Sequence, residues 1–339
     1  MRSCPRILVT IFCVFAFCVS GAGATEGPGI FSFYLENDIV AQTDRYYTGG
    51  MRFSYLSPAT CVPGSGDGSS LCRLRQWPFL GHPDLAYQWG FDIGQQVFTP
   101  ANIETAELQK DDRPYAGWTY GGFSLVGRNH HIMRSLKVEL GLIGEWSGAR
   151  SMQTRLHEAF GATRPEGWEH QLENEVGVSV LAGQKWRYHG DFPEHSSELD
   201  FIPHVTLQLG NVATRANAGF FLRWGRDLPR DFGSSPISGF AETNAPLDYA
   251  YRHNDRWRWH LFTGLNLRLQ VHDIFLDGNT FRDSHRVEKE HTVVEGGIGY
   301  GFSKGPWKIS YGRMFRTNEF TTQKGTETFG SLSVSRVLE

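Results

Sequence analysis

The stretch that decides the fold is Trp259–His272, which reads WHLFTGLNLRLQVH. Every second residue from Trp259 to Val271 is apolar except Thr263, whereas the residues between them are mostly polar or small. A period of two is the pattern of a β-strand with two different faces. The stretch is also longer than the ~9–11 residues that a tilted strand needs to cross a bilayer.

The same alternation recurs along the chain, for example at Phe201–Gly210, Trp307–Gly312 and Ser331–Ser335. It predicts about twelve strands, and an even number is usual for bacterial barrels. We predict strands at residues 29–39, 48–57, 86–98, 114–127, 134–146, 174–187, 199–211, 215–225, 256–273, 290–303, 306–317 and 327–338.

Taken alone, the alternation fits two kinds of β protein. In a soluble sandwich the apolar face packs inside, whereas in an outer-membrane barrel it meets lipid and the polar face lines the lumen. Long strands, 39 glycines and aromatic residues near strand ends favour the barrel. After residue 24 the sequence has no apolar run of the ~18 residues that indicate a membrane-spanning helix. We therefore expect an all-β fold, a transmembrane antiparallel β-barrel with a short helix in an extracellular loop.

The first residues have the pattern of a secretory signal peptide. Arg2 and Arg6 precede an apolar run at Ile7–Val19, and the small residues Ala22–Ala24 follow it. We expect residues 1–24 to be a signal peptide and residues 25–339 to form one barrel domain in the outer membrane of a Gram-negative bacterium. A net charge of −3 gives no indication of nucleic-acid binding.

With both termini in the periplasm, the predicted tips at 40–47, 99–113 and 147–173 face outward. The connections 58–85 and 226–255 fall on the periplasmic side and are longer than the turns usual there. Cys61 and Cys72 flank a Gly/Ser-rich loop in the first of them. In an oxidising compartment this spacing predicts one disulfide. No Cys/His spacing fits a zinc finger.

One segment breaks the alternation, at residues 149–161, ARSMQTRLHEAFG. Apolar residues recur there at helical spacing, and Gly161 can end a helix. Gln153 and His157 are four residues apart, so they share one face. We expect a short helix in the third outward loop, laid against the barrel rim, that points Gln153 and His157 at the wall. The simpler interpretation of His157 is an ordinary surface histidine.

Two outward segments carry more charge and more oxygen donors than a turn requires. Residues 36–50 read ENDIVAQTDRYYTGG, and residues 109–122 read QKDDRPYAGWTYGG. Without further information, either segment is a solvated loop at a membrane rim.

These segments, together with QQVFTP and MQTRLHEAFGATRPEGWEHQLENE, resemble the outer-membrane lipid A 3′-O-deacylase family of the LpxR type. The resemblance implies a twelve-stranded barrel that hydrolyses the 3′-linked acyloxyacyl ester of lipid A and requires Ca²⁺. It implies a site between the barrel wall and a loop helix, on the outer-leaflet side. By the matching motifs, the site residues are Asn37, Asp38, Thr48, Gln153 and His157.

The chain departs from the family at two places. The family can carry a lysine soon after the segment that reads QQVFTP here, but residues 101–109 contain no basic residue, and Lys110 has a different register. The family can also carry a Glu and a Tyr soon after the helix, where this chain has Thr163, Arg164, Pro165 and Glu166. These two departures concern the residues that position the substrate more than the residues that carry out the hydrolysis.

The residue types fit ester hydrolysis. Asp38 and Asn37 offer the oxygen ligands that Ca²⁺ takes, and such a cation stabilises an oxyanion. His157 can take a proton from water near neutral pH, and Gln153 can orient the water or the imidazole. Thr48 can donate a hydrogen bond to the oxyanion. Asn37 is predicted both as a catalytic residue and as a metal ligand. The chain has no G-x-S-x-G nucleophile elbow.

Candidates for the phosphates of lipopolysaccharide are Lys110, Arg113 and Arg155, because arginine pairs with phosphate in bidentate fashion. Two other functions stay open at this point. One is a hydrolase of the same fold that acts on a phospholipid or another acyl ester, and the other is a non-enzymatic structural or porin-like barrel.

Overall fold

The structure, a computed structural model, describes residues 28–37, 46–63, 70–192, 197–233 and 256–338. The predicted signal peptide lies outside the described residues. The strands are β1 (Ile30–Asn37), β2 (Tyr46–Leu56), β3 (Ala86–Thr99), β4 (Ala116–Arg128), β5 (Ile132–Ile143), β6 (Glu175–Trp186), β7 (Tyr188–Phe192), β8 (Ser197–Gly210), β9 (Ala213–Arg226), β10 (Arg258–Asp273), β11 (Thr292–Lys304), β12 (Trp307–Arg316) and β13 (Glu327–Val337).

Twelve of these strands form a closed antiparallel barrel. Each strand pairs with its neighbours in sequence, β1 pairs with β13, and β6 pairs with β8 across β7. The prediction of an all-β barrel of about twelve strands is therefore confirmed. The sequence analysis missed β7, a short strand that pairs with the start of β8, because all five of its residues are exposed and show no two-faced pattern.

The two faces of the strands are those of a membrane barrel. Large apolar side chains point outward, and Phe53, Ile93 and Leu267 are 44%, 43% and 42% exposed. Charged side chains line the lumen, where Lys137 Nζ lies 2.7 Å from Asp92 Oδ2 and both side chains are buried. An apolar exterior around a charged interior is the reverse of a soluble sandwich, which decides between the two folds that the alternation allowed.

The outward end of the lumen is filled by a short helix, α2 (Ile274–Asp277), that follows β10. Phe275 stacks on Phe98 with ring centroids 4.2 Å apart. Burial alone would raise the pKa of the Asp277 carboxyl, but hydrogen bonds from His272 and Lys289 lower it to about 2. The buried cluster around Phe275 takes further side chains from three strands: Tyr47, Trp118 and Phe329.

Residues 227–233 fill the other end of the lumen. Asp231 forms buried ion pairs with Arg223 and Lys308, and these partners lower the pKa of its carboxyl despite its burial. Phe232 packs in a buried cluster with Ile202 and Phe221. Both mouths of the barrel are therefore occupied by segments of the chain itself.

The connection between β2 and β3 contains a 3-10 helix at Ser70–Gln76. A disulfide joins Cys61 to Cys72, with their Cα atoms 5.4 Å apart. Leu71, Leu74 and Leu80 pack in one buried cluster with Cys61. In the described ranges, none of the helices has the length and apolar character that crossing a membrane requires.

Candidate active site

Asn37 and Thr48 come together where β1 and β2 reach the outward end of the barrel. Asn37 stands opposite Gly49 in the β1–β2 ladder, and its Nδ2 donates to the Thr48 carbonyl at 3.3 Å. In the β2–β3 ladder the register shifts between Tyr47 and Gly49, so Thr48 is the bulged residue. A β-bulge re-aims a side chain, and here Thr48 Oγ1 lies 2.8 Å from Thr99 Oγ1.

The glycine at position 49 is required by this arrangement. A Cβ there would lie 2.8 Å from the Glu36 carbonyl oxygen and 3.3 Å from Asn37 Nδ2. Glycine therefore leaves the space that the Asn37 amide occupies.

These side chains lie on the outer, lipid-facing side of the wall. Residues two apart on a strand share a face, so Asn37 continues the outward row that includes Phe31, which is 42% exposed. Glu36 points the other way, into the lumen, where it accepts a hydrogen bond of 2.8 Å from the Tyr47 hydroxyl. The alternation of the strand thus separates Asn37 from its acidic neighbour in sequence.

The helix α1 (Ala149–Phe160) packs on β3 and β4, and its bounds confirm the predicted helix. Ala149 and Trp168 are buried in one cluster with Val97 of β3. Val97 and Thr99 share a face of β3, so α1 and Thr48 lie against the same outward side of that strand. A Cβ on Gly117 of β4 would lie 2.3 Å from Ala149 Cβ, which shows how closely the helix approaches the wall.

The face that α1 turns inward is polar. Gln153 is 3% exposed and His157 is 2% exposed. Leu156 and Phe160, from the apolar stripe that predicted the helix, are 40% and 78% exposed. The surface-histidine interpretation of His157 is therefore wrong, because His157 is buried together with Gln153 on the face of α1 that meets the protein.

The segment that follows α1 returns along it and holds both side chains. His157 Nδ1 lies 2.5 Å from the Thr163 carbonyl oxygen, so Nδ1 carries the proton in that hydrogen bond. In the neutral imidazole, Nε2 is then the nitrogen with the lone pair. Trp168, in a 3-10 helix at Gly167–His170, donates its indole Nε1–H to Gln153 Oε1 at 2.8 Å.

The structure separates the three predicted phosphate-binding residues. Lys110 and Arg155 are exposed at the outward end. Arg113 is 1% exposed, and its Nη1 donates to Glu319 Oε2 at 3.0 Å. Arg113 therefore belongs to a buried ion-pair network, and its geometry gives no support to a phosphate role.

Asp38, the predicted charged metal ligand, lies outside the described residues. In the described ranges, one group of His, Asp and Glu side chains has the spacing of a metal site: His189, Asp191 and Glu198. It lies in the β7–β8 hairpin, at the opposite end of the barrel from α1. The structure therefore does not bring it near Asn37.

Sequence reasoning missed three contributors to the site. Thr99 and the role of Trp168 depend on contacts across the fold. Gln95 Nε2 donates to the Ser147 carbonyl at 2.8 Å and to Thr119 Oγ1 at 2.7 Å, which ties the wall to the chain just before α1. The sequence did carry one sign of this part of the site: Gln95 and Thr119 are polar residues on the outward faces of strands, where lipid disfavours polar side chains.

Comparison with known proteins then identifies the family. The family model described as "Outer membrane protein LpxR" matches residues 8–338. The chain belongs to the LpxR family. Its fold is similar to that of LpxR from Salmonella typhimurium, with a TM-score of 0.72 and 18% identity over 91% of this chain and 100% of that one.

Another solved structure has a lower TM-score. The β domain of the Bordetella autotransporter BrkA has a TM-score of 0.46 at 8% identity, covering 93% of this chain and 100% of that one. A search of curated proteins found no match. As an LpxR-family barrel, the protein is located in the outer membrane.

Proposed function

We propose that this protein is a lipid A 3′-O-deacylase that hydrolyses the 3′-linked acyloxyacyl ester in the outer leaflet. The observation that supports this most is the state of His157. It is a buried histidine, with Nδ1 bound to a carbonyl, on the face of α1 that turns toward the outward wall of the barrel. A set of polar side chains on the lipid side of the wall suits a substrate whose acyl chains stay in the membrane.

In the proposed reaction, His157 Nε2 takes a proton from water while the water oxygen attacks the ester carbonyl carbon. The carbonyl electrons move to oxygen, and donors on Thr48 and Gln153 stabilise the negative charge. When the intermediate collapses, the bond to the sugar oxygen breaks and His157 returns the proton to that oxygen. The products are a free acyloxyacyl acid and a sugar hydroxyl.

The donors at the site fit a hard cation. Asn37 uses Nδ2 toward the Thr48 carbonyl, which turns Oδ1 away from that carbonyl, and Asp38 follows in sequence. Carboxylate and amide oxygens are the ligands that Ca²⁺ takes. When bound, the ion would supply positive charge close to the ester carbonyl.

Lys110 and Arg155 are the proposed contacts to the lipid A phosphates, since both are exposed at the outward end. Arg113 is left out of this set because Glu319 holds it in the interior.

The competing proposals are separated by specific features. A porin-like role is disfavoured by α2 and by residues 227–233, which occupy the two ends of the lumen. A hydrolase of the same fold that acts on a phospholipid or another acyl ester is the second candidate, because residues 163–166 are not matched to the Glu and Tyr that the family can carry soon after the helix.

The test is expression of wild type and His157→Ala in a host that makes hexa-acylated lipid A, followed by mass spectrometry of the lipid A with and without EDTA. His131→Ala, an exposed histidine at the far end of the barrel, is the matched control. We expect wild type and the control to remove one acyloxyacyl unit, and His157→Ala and the EDTA samples to leave lipid A intact. Intact lipid A with the folded wild type, accompanied by free fatty acid from phospholipid, would favour the second candidate.

A further inference from the structure

Gln153 is oriented by Trp168, whose indole nitrogen can act only as a hydrogen-bond donor. An indole N–H donates and cannot accept, so the side of the Gln153 amide that meets Trp168 Nε1 must be its oxygen. The amide nitrogen therefore points elsewhere. It is buried and has no hydrogen-bond partner among the described residues.

A buried amide nitrogen without an acceptor is unfavourable, because it has given up its hydrogen bonds to water. Gln153 Nε2 carries two hydrogens and has no lone pair to offer, so its partner must be an acceptor such as oxygen, and the described residues supply none. It lies one helical turn from His157, on the same buried face of α1.

Trp168 is itself held firmly. It is 1% exposed, and its ring centroid lies 5.0 Å from that of Tyr115. A Cβ on the preceding Gly167 would lie 2.5 Å from Tyr115 Cε2, so this turn accepts only glycine without a shift. The Glu166 amide donates to the Ile103 carbonyl at 2.8 Å, which fixes the segment to the second outward loop.

We infer that Trp168 is a positioning residue that holds the Gln153 amide so that Nε2 donates to the oxyanion of the ester intermediate. The inference rests on the proposed deacylase function and makes Gln153 a donor to the oxyanion, rather than a residue that orients the water or the imidazole. Since Nε2 can only donate, Gln153 cannot take a proton from water, and that step belongs to His157.

The test is a double-mutant cycle on the purified barrel, with lipid A in mixed micelles and product measured by mass spectrometry over a range of lipid A. The variants are Gln153→Met, which keeps the side-chain volume without a donor, Trp168→Phe and the double variant. Trp146→Phe is the matched control, because Trp146 lies just before α1 and is 58% exposed. Retention of the fold is checked by heat-modifiable migration in gels.

We expect Gln153→Met to lower kcat by about 100-fold, the usual loss for one oxyanion donor, and Trp168→Phe to lower it by roughly 10-fold. KM should change little in either. The double variant should match Gln153→Met, because Trp168 acts through Gln153. Trp146→Phe should behave as wild type.

Two results would overturn the inference. One is an unchanged kcat in folded Trp168→Phe, and the other is a loss from Trp168→Phe that persists in the Gln153→Met background. A wild-type barrel that is folded but releases no acyl group from lipid A would refute the proposed function instead, and this inference with it.

Discussion

Gly117→Ala should loosen α1 from the barrel wall without unfolding the barrel. Gly117 lies on the outward face of β4, beneath the start of α1. A methyl group there would lie 2.2 Å from Ser147 Oγ and 2.3 Å from Ala149 Cβ. Both distances are far shorter than a normal contact, so either the strand or the helix has to move. The barrel strands are held on both sides by ladders, so we expect the helix to move.

The size of the effect follows from the cost of overpacking a well-packed contact, which is about 1–3 kcal/mol. At 25 °C this cost lowers the docking equilibrium constant of α1 by roughly 5- to 150-fold. His157 and Gln153 are carried on α1, so the population of barrels with a complete site should fall as the helix undocks.

Limited trypsin digestion measures docking independently of activity. Arg150 and Arg155 lie in α1, where cleavage needs the helix to open, and the cleavage rate follows the open population when opening is fast. We expect faster cleavage after these arginines, together with slower lipid A deacylation. Gly190→Ala is the matched control, because a Cβ there meets nothing within 4 Å. Normal cleavage and normal activity in Gly117→Ala would show that the helix does not depend on this close approach.

Three further predictions concern the charged residues and the disulfide. Arg113→Met should lower the free energy of unfolding by about 1–3 kcal/mol, because Glu319 loses a buried partner, and urea unfolding in detergent measures this loss. The same variant should leave KM for lipid A unchanged, which lipid A kinetics test. Lys110→Ala and Arg155→Ala should raise KM for lipid A with kcat unchanged. Both residues are exposed, so the free energy of unfolding should change by no more than about 0.5 kcal/mol. An unchanged KM in both variants would remove these residues from the phosphate site. Cys72→Ser should cost about 2–4 kcal/mol, and the difference from wild type should vanish when unfolding is followed under reducing conditions.

The barrel could be predicted from sequence because its signal is repeated along the twelve strands that close it. A strand that meets lipid on one face and the lumen on the other must alternate, and Trp259–His272 shows this over its whole length. Short β7 lacks that constraint, because neither of its faces is buried. β7 was therefore missed because it lacks the two-faced pattern from which the other strands were predicted.

The site was predicted less completely, because its contacts join residues far apart in the chain. The motif segments predicted Asn37, Thr48, Gln153 and His157 as site residues, but not the bulge that aims Thr48 at Thr99. The helix was predicted from its apolar stripe, yet Leu156 and Phe160 of that stripe face outward, and the buried face of the helix carries Gln153 and His157. Arg113 was misjudged for a similar reason: an arginine in a charged loop reads as exposed, although its partner Glu319 is distant in sequence.

A polar site on the lipid side of a barrel poses an energetic problem, because lipid offers no hydrogen bonds to polar groups. The structure largely solves it by pairing the polar groups with one another. Thr48 binds Thr99, Gln95 binds Thr119, and α1 covers the wall beside them. Among these outward side chains in the described ranges, Gln153 Nε2 is the buried nitrogen that the protein leaves unpaired. Since the surroundings are otherwise satisfied, the position that awaits an oxygen is the position where the ester carbonyl should bind.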